Sequence, residues 1–336
     1  MIKMRYILGV DTSCYTTSLV LLDLDENCVL ANIQIPLEVP QGEVGLRQSH
    51  GVFQHIKNLP RGVDKLNLKQ ERGKKKFKDN IKSICVSNKP RPILDSYMPV
   101  FITGESYAEF LGNFLEIPVY KVSHQEGHIA AGLYDNRQDI PFKQLSDFLV
   151  FHVSGGTTEI LKCRTNKYLT SFDIEIIGGT EDISAGQLID RASRELGLPF
   201  PGGPHLEELA ESVGDNPPDF PVSTEGTKIN FSGPETHIKS VISQKKLPPS
   251  DIARGVEKCI AESIVRALIE SLKICKQTKY VLFVGGVMSN NYIKNFVKKS
   301  IVKHLQGITL WCTCPTLSKD NAVGVAWLGK NFFLHS

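Results

Sequence analysis

The sequence lacks any apolar run long enough to cross a bilayer. Its longest, such as Tyr280–Val284 and Phe148–Val153, stop far short of the roughly 20 residues a helical span needs. No membrane role is expected. Met1–Arg5 leads straight into a strand-like run, without the apolar stretch and small-residue cleavage site of a signal peptide. Paired cysteine motifs are missing too. The eight cysteines, at 14, 28, 85, 163, 259, 275, 312 and 314, make neither a disulfide framework nor a C-x-x-C zinc pair. Reduced thiols and a cytoplasmic address are the expectation. Cys312 and Cys314 form a C-x-C that reads either as metal ligands or as alternating positions along a strand. A strong charge bias is also absent. The net charge of +3 does not imply a nucleic-acid partner by itself. The basic residues are nevertheless uneven, with a run from Lys65 to Lys82 that is densest at Lys74–Lys78. That run reads as a solvated face or as a phosphate-backbone contact.

What remains is ordinary globular material: 336 residues, 41% hydrophobic and 22% charged, enough for two domains. Two segments share one plan. Tyr6–Asp23 reads as strand, small polar turn (Asp11, Thr12, Ser13, Cys14) and strand. Phe148–Cys163 repeats it around Ser154-Gly155-Gly156-Thr157-Thr158. The repetition points to an internally duplicated α/β fold with two lobes, 1–145 and 146–336. Between the hairpins lie a mixed region (Pro36–Lys82), a strand at Ile84–Ser87, a helix at Gly104–Leu115, a strand at Pro118–Val122 and helical periodicity over His124–Leu133. The second half suggests helices at Ser184–Leu196, Ile252–Lys276 and Asp320–Leu328. It also suggests a Pro/Gly loop at Pro199–Pro204, a surface loop around Asp215–Asp219 and a strand at Tyr280–Val284.

Four segments carry chemistry. Turns of Gly, Ser and Thr expose N–H groups and hydroxyls, a geometry suited to phosphate. The stretch from Ser154 to Thr158 is the stronger case, because its two glycines admit close backbone approach; an ordinary tight turn is the alternative. Val281–Val287 is a strand that ends in Gly285-Gly286 and leads to Asn290, which either caps the next helix or bonds a ligand. It is not G-x-G-x-x-G, so dinucleotide binding is not indicated. His124-Gln125-Glu126-Gly127-His128 places two imidazoles at i and i+4 on one helix face, within reach of one metal ion. Glu126 is not placed as the zincin base is. Asp320 is a candidate third ligand, or simply a helix cap. Asp190 reads as a ribose ligand or a solvated helix residue.

Together these segments resemble one family. They are Val10–Cys14, His124–His128, Val153–Thr158, Ser184–Pro204 with its LGLPFPGGP, Asn230–Gly233, Gly285–Asn290 and Ser318–Asn321. In this order, over nearly the whole chain, they resemble the tRNA N6-adenosine threonylcarbamoyltransferases (TsaD/Gcp type, formerly O-sialoglycoprotein endopeptidase). The resemblance implies the actin/sugar-kinase/Hsp70-like (ASKHA) fold with ligand in the interlobe cleft. It implies transfer of threonylcarbamoyl from threonylcarbamoyl-AMP to N6 of adenosine 37 in tRNA. Carried over residue by residue, it implies one divalent metal ion (iron or zinc) on His124, His128 and Asp320. It implies nucleotide or substrate contacts from Val153, Ser154, Gly155, Gly156, Thr157, Asp190, Gly203 and Asn290. Asp11, Thr12 and Ser13 would lie on the phosphate side. A paralogous protein partner, with a surface on the N-terminal lobe, and an ATPase partner are implied as well.

The sequence departs from the family pattern at several places. Tyr15 and Thr16 stand where an acidic pair is usual, and Thr157 where His is usual. Ile183 and Gln187 replace an Asp and a Glu, Pro234-Glu235 replaces Leu-Lys, and Asn88–Pro92 stands where Gly-Pro-Gly is usual. A divergent paralogue that binds nucleotide and metal, with another substrate or a regulatory partner role, is the alternative these departures motivate. A kinase or ATPase of the same fold is a third reading, which would leave the His pair without a purpose. A protease is disfavoured, because no nucleophile–base pair is evident.

Overall fold

The computed structural model describes residues 5–13, 15–39, 46–70, 77–212, 217–305 and 307–336. Cys14, Asp215, Asn216 and the centre of the basic run, 71–76, lie outside the described residues. The chain divides into two compact units. The first comprises Met1–Lys143, Thr165–Phe172 and Lys319–Ser336; the second comprises Gln144–Arg164 and Asp173–Ser318.

The first unit begins with β1 (Tyr6–Ser13), β2 (Thr16–Asp23) and β3 (Cys28–Pro36). There follow α1 (Gln48–Gln70), β4 (Ile81–Lys89), α2 (Pro99–Leu115), β5 (Val119–Ser123) and α3 (His124–Asp135). The sheet order is β3-β2-β1-β4-β5. The first three strands pair antiparallel, and β4 and β5 add to β1 in parallel. Alternation sorts β1 into two faces. Tyr6, Leu8 and Val10 join a core with Leu59 and Leu66 of α1 and Ala108 of α2. Ile7, Gly9 and Asp11 therefore face the other way. The helix α1 falls in the region read as mixed; Pro60 inside it masks the helical signal.

The second unit contains β6 (Asp147–Val153), β7 (Thr158–Thr165), β8 (Phe172–Thr180), α4 (Ala185–Glu195) and α5 (Gly202–Ala210). Next come β9 (Ser223–Glu225), β10 (Lys228–Asn230), α6 (Ser232–Gln244) and α7 (Pro249–Ile274). It closes with β11 (Tyr280–Val284), α8 (Asn291–His304), β12 (Thr309–Cys312) and α9 (Pro315–Ser318). The seven strands run β12-β11-β6-β7-β8-β10-β9. Leu149, Phe151 and Val153 of β6 share a core with Ile252, Val256, Ile260 and Ile264, one stripe of α7 at helical spacing. Burying each such side chain contributes about 1.5–3 kcal/mol. The loop expected at Pro199–Pro204 is shorter, because α5 already starts at Gly202. Cys312 ends β12 and Cys314 lies beyond it, so the two do not alternate along one strand. The described cysteines are all free thiols.

The chain ends in α10 (Val323–His335), which begins three residues after Asp320. It belongs to the first unit, where it packs against α3, β1 and β4. Residues 319–336 are thus not part of the second compact unit, although they lie in the second half of the sequence. The reason is steric fit. A Cβ on Gly324 would sit 1.9 Å from the Gly127 carbonyl oxygen of α3. One on Gly9 would sit 2.7 Å from the Ala322 carbonyl oxygen, and one on Gly329 2.5 Å from Cys85 Cβ. Glycine at these positions lets backbone approach backbone.

Candidate metal centre and glycine platform

The parallel strands β1, β4 and β5 end at one edge of the first sheet, the usual place for a ligand in α/β folds. Val10 pairs with Val86 and Ser87 with Val122. The next residues along, Asp11, Ser87 and Ser123–His124, therefore gather there. Ser123 caps α3: its Oγ accepts from Glu126 N–H at 3.2 Å, and Glu126 Oε2 accepts from Ser123 N–H at 2.7 Å. This capping box assigns Glu126 a local role. It also starts the helix at His124, so that His124 and His128 share one face.

The close α3–α10 crossing delivers Asp320 to the same point. His124 Nε2 and His128 Nε2 are 3.0 Å apart, and each is 3.5 Å from Asp320 Oδ1. Among the described residues these three form a group able to hold a metal ion. A triangle with sides of 3.0, 3.5 and 3.5 Å has a circumradius of about 1.9 Å, so a point just above its plane meets the ~2.0–2.2 Å of Zn–N and Zn–O bonds. The donors fit a divalent ion. Burial works against charge on these groups, yet Asp11 and Asp320 outweigh it and raise His124 well above the ordinary imidazole range. Burial likewise favours neutral Asp320, but His124 and His128 pull its carboxyl far below the ordinary range. Asp320 is not the cap of α10; Ala322 holds that position.

Asp11, Thr12 and Ser13 do not form an exposed phosphate turn. All three are fully buried. Thr12 Oγ1 donates to the Val100 carbonyl (3.0 Å) and accepts from Gly104 N–H (3.1 Å), tying β1 to α2. Ser13 Oγ donates to Asp11 Oδ2 at 2.6 Å, Ser87 Oγ donates to Asp11 Oδ1, and His124 Nδ1 lies 3.2 Å from Asp11 Oδ1. Sequence reasoning missed Ser87; its only signal is the parity it shares with Cys85 on β4.

The second unit builds its counterpart at the ends of β6 and β11. Gly285 adopts φ +98°, and a Cβ there would lie 2.3 Å from the Val153 carbonyl oxygen. The tip of the β6–β7 hairpin is tied by Ser154 N–H to the Thr157 carbonyl (2.7 Å) and by Thr157 N–H to Ser154 Oγ (3.1 Å). It rests on the start of α4. Ser184 Oγ donates to the Gly155 carbonyl (2.6 Å), Ala185 N–H to Thr158 Oγ1 (2.9 Å), and Gly186 N–H to the Ser154 carbonyl (3.2 Å). Gly186 allows this contact, since a Cβ there would meet Gly155 Cα at 2.4 Å. Gly155 and Gly156 are exposed, with open space where a Cβ would project.

Asp190 is neither a solvated helix residue nor wholly uncommitted. Its Oδ1 accepts from Gly202 N–H at 2.8 Å and so caps α5, while burial raises its carboxyl. Gly203 opens onto free space. Asn290 caps α8: its Oδ1 accepts from Ile293 N–H at 2.9 Å, and its Nδ2 donates to Glu257 Oε1 at 2.5 Å. Some departures at this platform have structural roles. Gln187 Oε1 accepts from Ser184 N–H at 3.1 Å in a capping box, and Glu235 pairs with Arg191 (2.9 Å) and Lys239 (2.6 Å).

Residues 53–327 match the family model described as "TsaD: tRNA N6-adenosine threonylcarbamoyltransferase". The chain belongs to this family. The member from Thermosipho melanesiensis is 28% identical over 333 residues, covering 97% of this chain and 94% of its own length. That from Dictyoglomus turgidum is 30% identical over 338 residues, covering 97% and 93%. That from Bacillus subtilis is 28% identical over 341 residues, covering 98% and 91%. Solved structures show the same fold at low identity. The HypF of T. kodakarensis aligns with a TM-score of 0.56 at 14% identity over 98% of this chain; the chain spans 48% of that protein. A ROK family protein of Streptococcus pneumoniae aligns with a TM-score of 0.55 at 11% identity, over 98% of each chain. The fold is of the ASKHA type.

Proposed function

We propose that the chain transfers threonylcarbamoyl from threonylcarbamoyl-AMP to N6 of adenosine 37 in tRNA, assisted by a divalent metal, iron or zinc, on His124, His128 and Asp320. The observation that carries this reading is the convergence of those three donor atoms in a chain of this family. Bound there, the metal would act as a Lewis acid toward oxygen of the acyl donor. The chain's own residues would position the substrate. Exposed backbone at Gly155 and Gly156 would approach the AMP portion, and Gly203, also in the second unit, leaves open space for substrate. The bond from N6 to the threonylcarbamoyl carbonyl carbon forms as the bond from that carbon to the phosphate oxygen breaks; AMP leaves with the electron pair, and the N6 proton passes to water. The catalytic assignment stops at the metal ligands.

The same reading includes tRNA, a paralogous protein partner and an ATPase partner, in the cytoplasm. An apolar face on the first unit supports a protein partner. Tyr107 and Phe110 on α2 are exposed and, with Leu59, Pro60 and Val63 of α1, line a groove of about 330 Å³ that reaches Leu8 and Ile84 of the sheet. No helix among the described residues is long and apolar enough to cross a membrane.

The alternative is a divergent member that binds nucleotide and metal but serves another acceptor or regulates a partner. Gln187 favours it, because an uncharged amide stands where the family pattern has a carboxylate. Nucleoside mass spectrometry decides between the two. Cells depleted of the usual enzyme and supplied with this chain should regain N6-threonylcarbamoyladenosine. Purified His124→Ala/His128→Ala protein should carry metal only at background level by elemental analysis. Unchanged metal content would remove the ligand assignment, and absent modification with folded, metal-loaded protein would favour the alternative.

A further inference from the structure

We propose that Asp11 is the positioning residue of this metal centre: it holds His124 with Nδ1 protonated, so that the Nε2 lone pair points at the position shared with His128 and Asp320. The inference rests on the metal reading above and adds a residue to it. Asp11 is fully buried at the end of β1. Its partners are two hydroxyl donors, Ser13 at 2.6 Å and Ser87, and one imidazole nitrogen, His124 Nδ1, at 3.2 Å.

Donor counting decides the roles. Each serine has one hydroxyl proton and spends it on Asp11. A carboxylate held by two donors is an acceptor, so the remaining proton in the cluster belongs on His124 Nδ1. A neutral imidazole protonated there has its lone pair on Nε2, the atom that lies 3.0 Å from His128 Nε2. The opposite tautomer would aim an N–H at the metal position. Carboxylates that accept from the far nitrogen of a metal-bound histidine orient the ring and raise its basicity. Strand parity puts Asp11 in that role, on the face that carries Gly9 and meets α10, whereas Thr12 is turned to α2. Phe101, with its ring 5.9 Å from that of His124, limits the swing of the imidazole.

The test uses the full chain, stripped of metal, with zinc as the probe. Zinc affinity is measured by competition with a chromophoric chelator for wild type, Asp11→Asn and Ser87→Ala, alongside urea unfolding of each apo form. Asp11→Asn keeps the shape and removes the charge. It is expected to weaken zinc binding about 10–100-fold, and the unfolding transition of each apo form confirms that the chain is folded when zinc is added. Ser87→Ala, which leaves the carboxylate in place, is expected to change it far less. Nitrogen-15 spectra of the zinc-loaded wild type supply a readout that needs no variant: metal on His124 Nε2 and a proton on Nδ1. Zinc binding by Asp11→Asn within twofold of wild type, or metal on His124 Nδ1, overturns the role of Asp11 and leaves the metal centre standing. Failure of the wild type to bind zinc overturns the metal centre and this inference with it.

Discussion

The hairpins β1–β2 and β6–β7 share a plan and use their tips in opposite ways. The first carries Asp11, Thr12 and Ser13, whose hydroxyl and carboxyl groups are buried and bonded within the first unit. The second has glycine at its centre and leaves open space outside the backbone. A small polar turn can thus become internal scaffolding or an external surface. A side chain with its own donors turns inward to find partners, whereas glycine leaves only N–H and C=O to present. The buried acids at the two sites, Asp11 and Asp320 in the first and Glu257 in the second, contrast as well. Asp11 and Asp320 are held below the ordinary carboxylate range, because the charge and hydrogen bonds of nearby histidine overcome the effect of burial. Glu257 is pushed up to about 7, because burial outweighs its bonds to Asn290 and Arg254.

The largest expected effect breaks the first unit. Gly324→Ala places a methyl group against the Gly127 carbonyl, so α10 must shift and carry Asp320 away from the histidines. We expect a loss of about 3 kcal/mol in urea unfolding, together with weakened metal binding. An unchanged midpoint with full metal content would mean that the crossing is looser than the contact implies. A middle-sized effect separates the acids. The folded-state pKa of Glu257 lies above its ordinary value, so the folded chain keeps a proton that the unfolded chain releases. Stability should therefore fall as pH rises from about 4.5 to about 7 and level off above that. Between pH 5 and 8 the wild type should lose on the order of 2 kcal/mol more than Glu257→Gln, measured by urea unfolding of both. Parallel pH profiles would show that Glu257 titrates normally. The smallest effect concerns the exposed tip. Gly156→Ala meets nothing within 4 Å and should change stability by no more than about 0.5 kcal/mol. Its affinity for AMP, measured by calorimetry, should nevertheless fall severalfold if the tip is a ligand surface, and stay unchanged if it is only a turn.

Both hairpins, the helical start at His124 and the strand Tyr280–Val284 were legible because period-2 and period-3.6 patterns are local. The long helix α1 was not, since a proline and a low apolar content blur its period. Strands β8, β9 and β10 were missed as well; the last two are three residues each, too short to show a pattern. In the candidate site the histidine pair could be read from spacing, and Asp320 only as one candidate carboxylate. Ser87 and Gly324 had no readable role, because each acts on residues distant in sequence.

Residue order alone specified the hairpins, the i, i+4 histidines on one helix face and the glycine tip, all consequences of backbone geometry within a few residues. Tertiary packing decided the rest. It returned the last helix to the first unit, set Asp320 beside His124 and His128, and buried Asp11 against His124. The physical reason is that sheet order and glycine-to-backbone contact join segments some 200 residues apart, and no local period encodes which of them will meet.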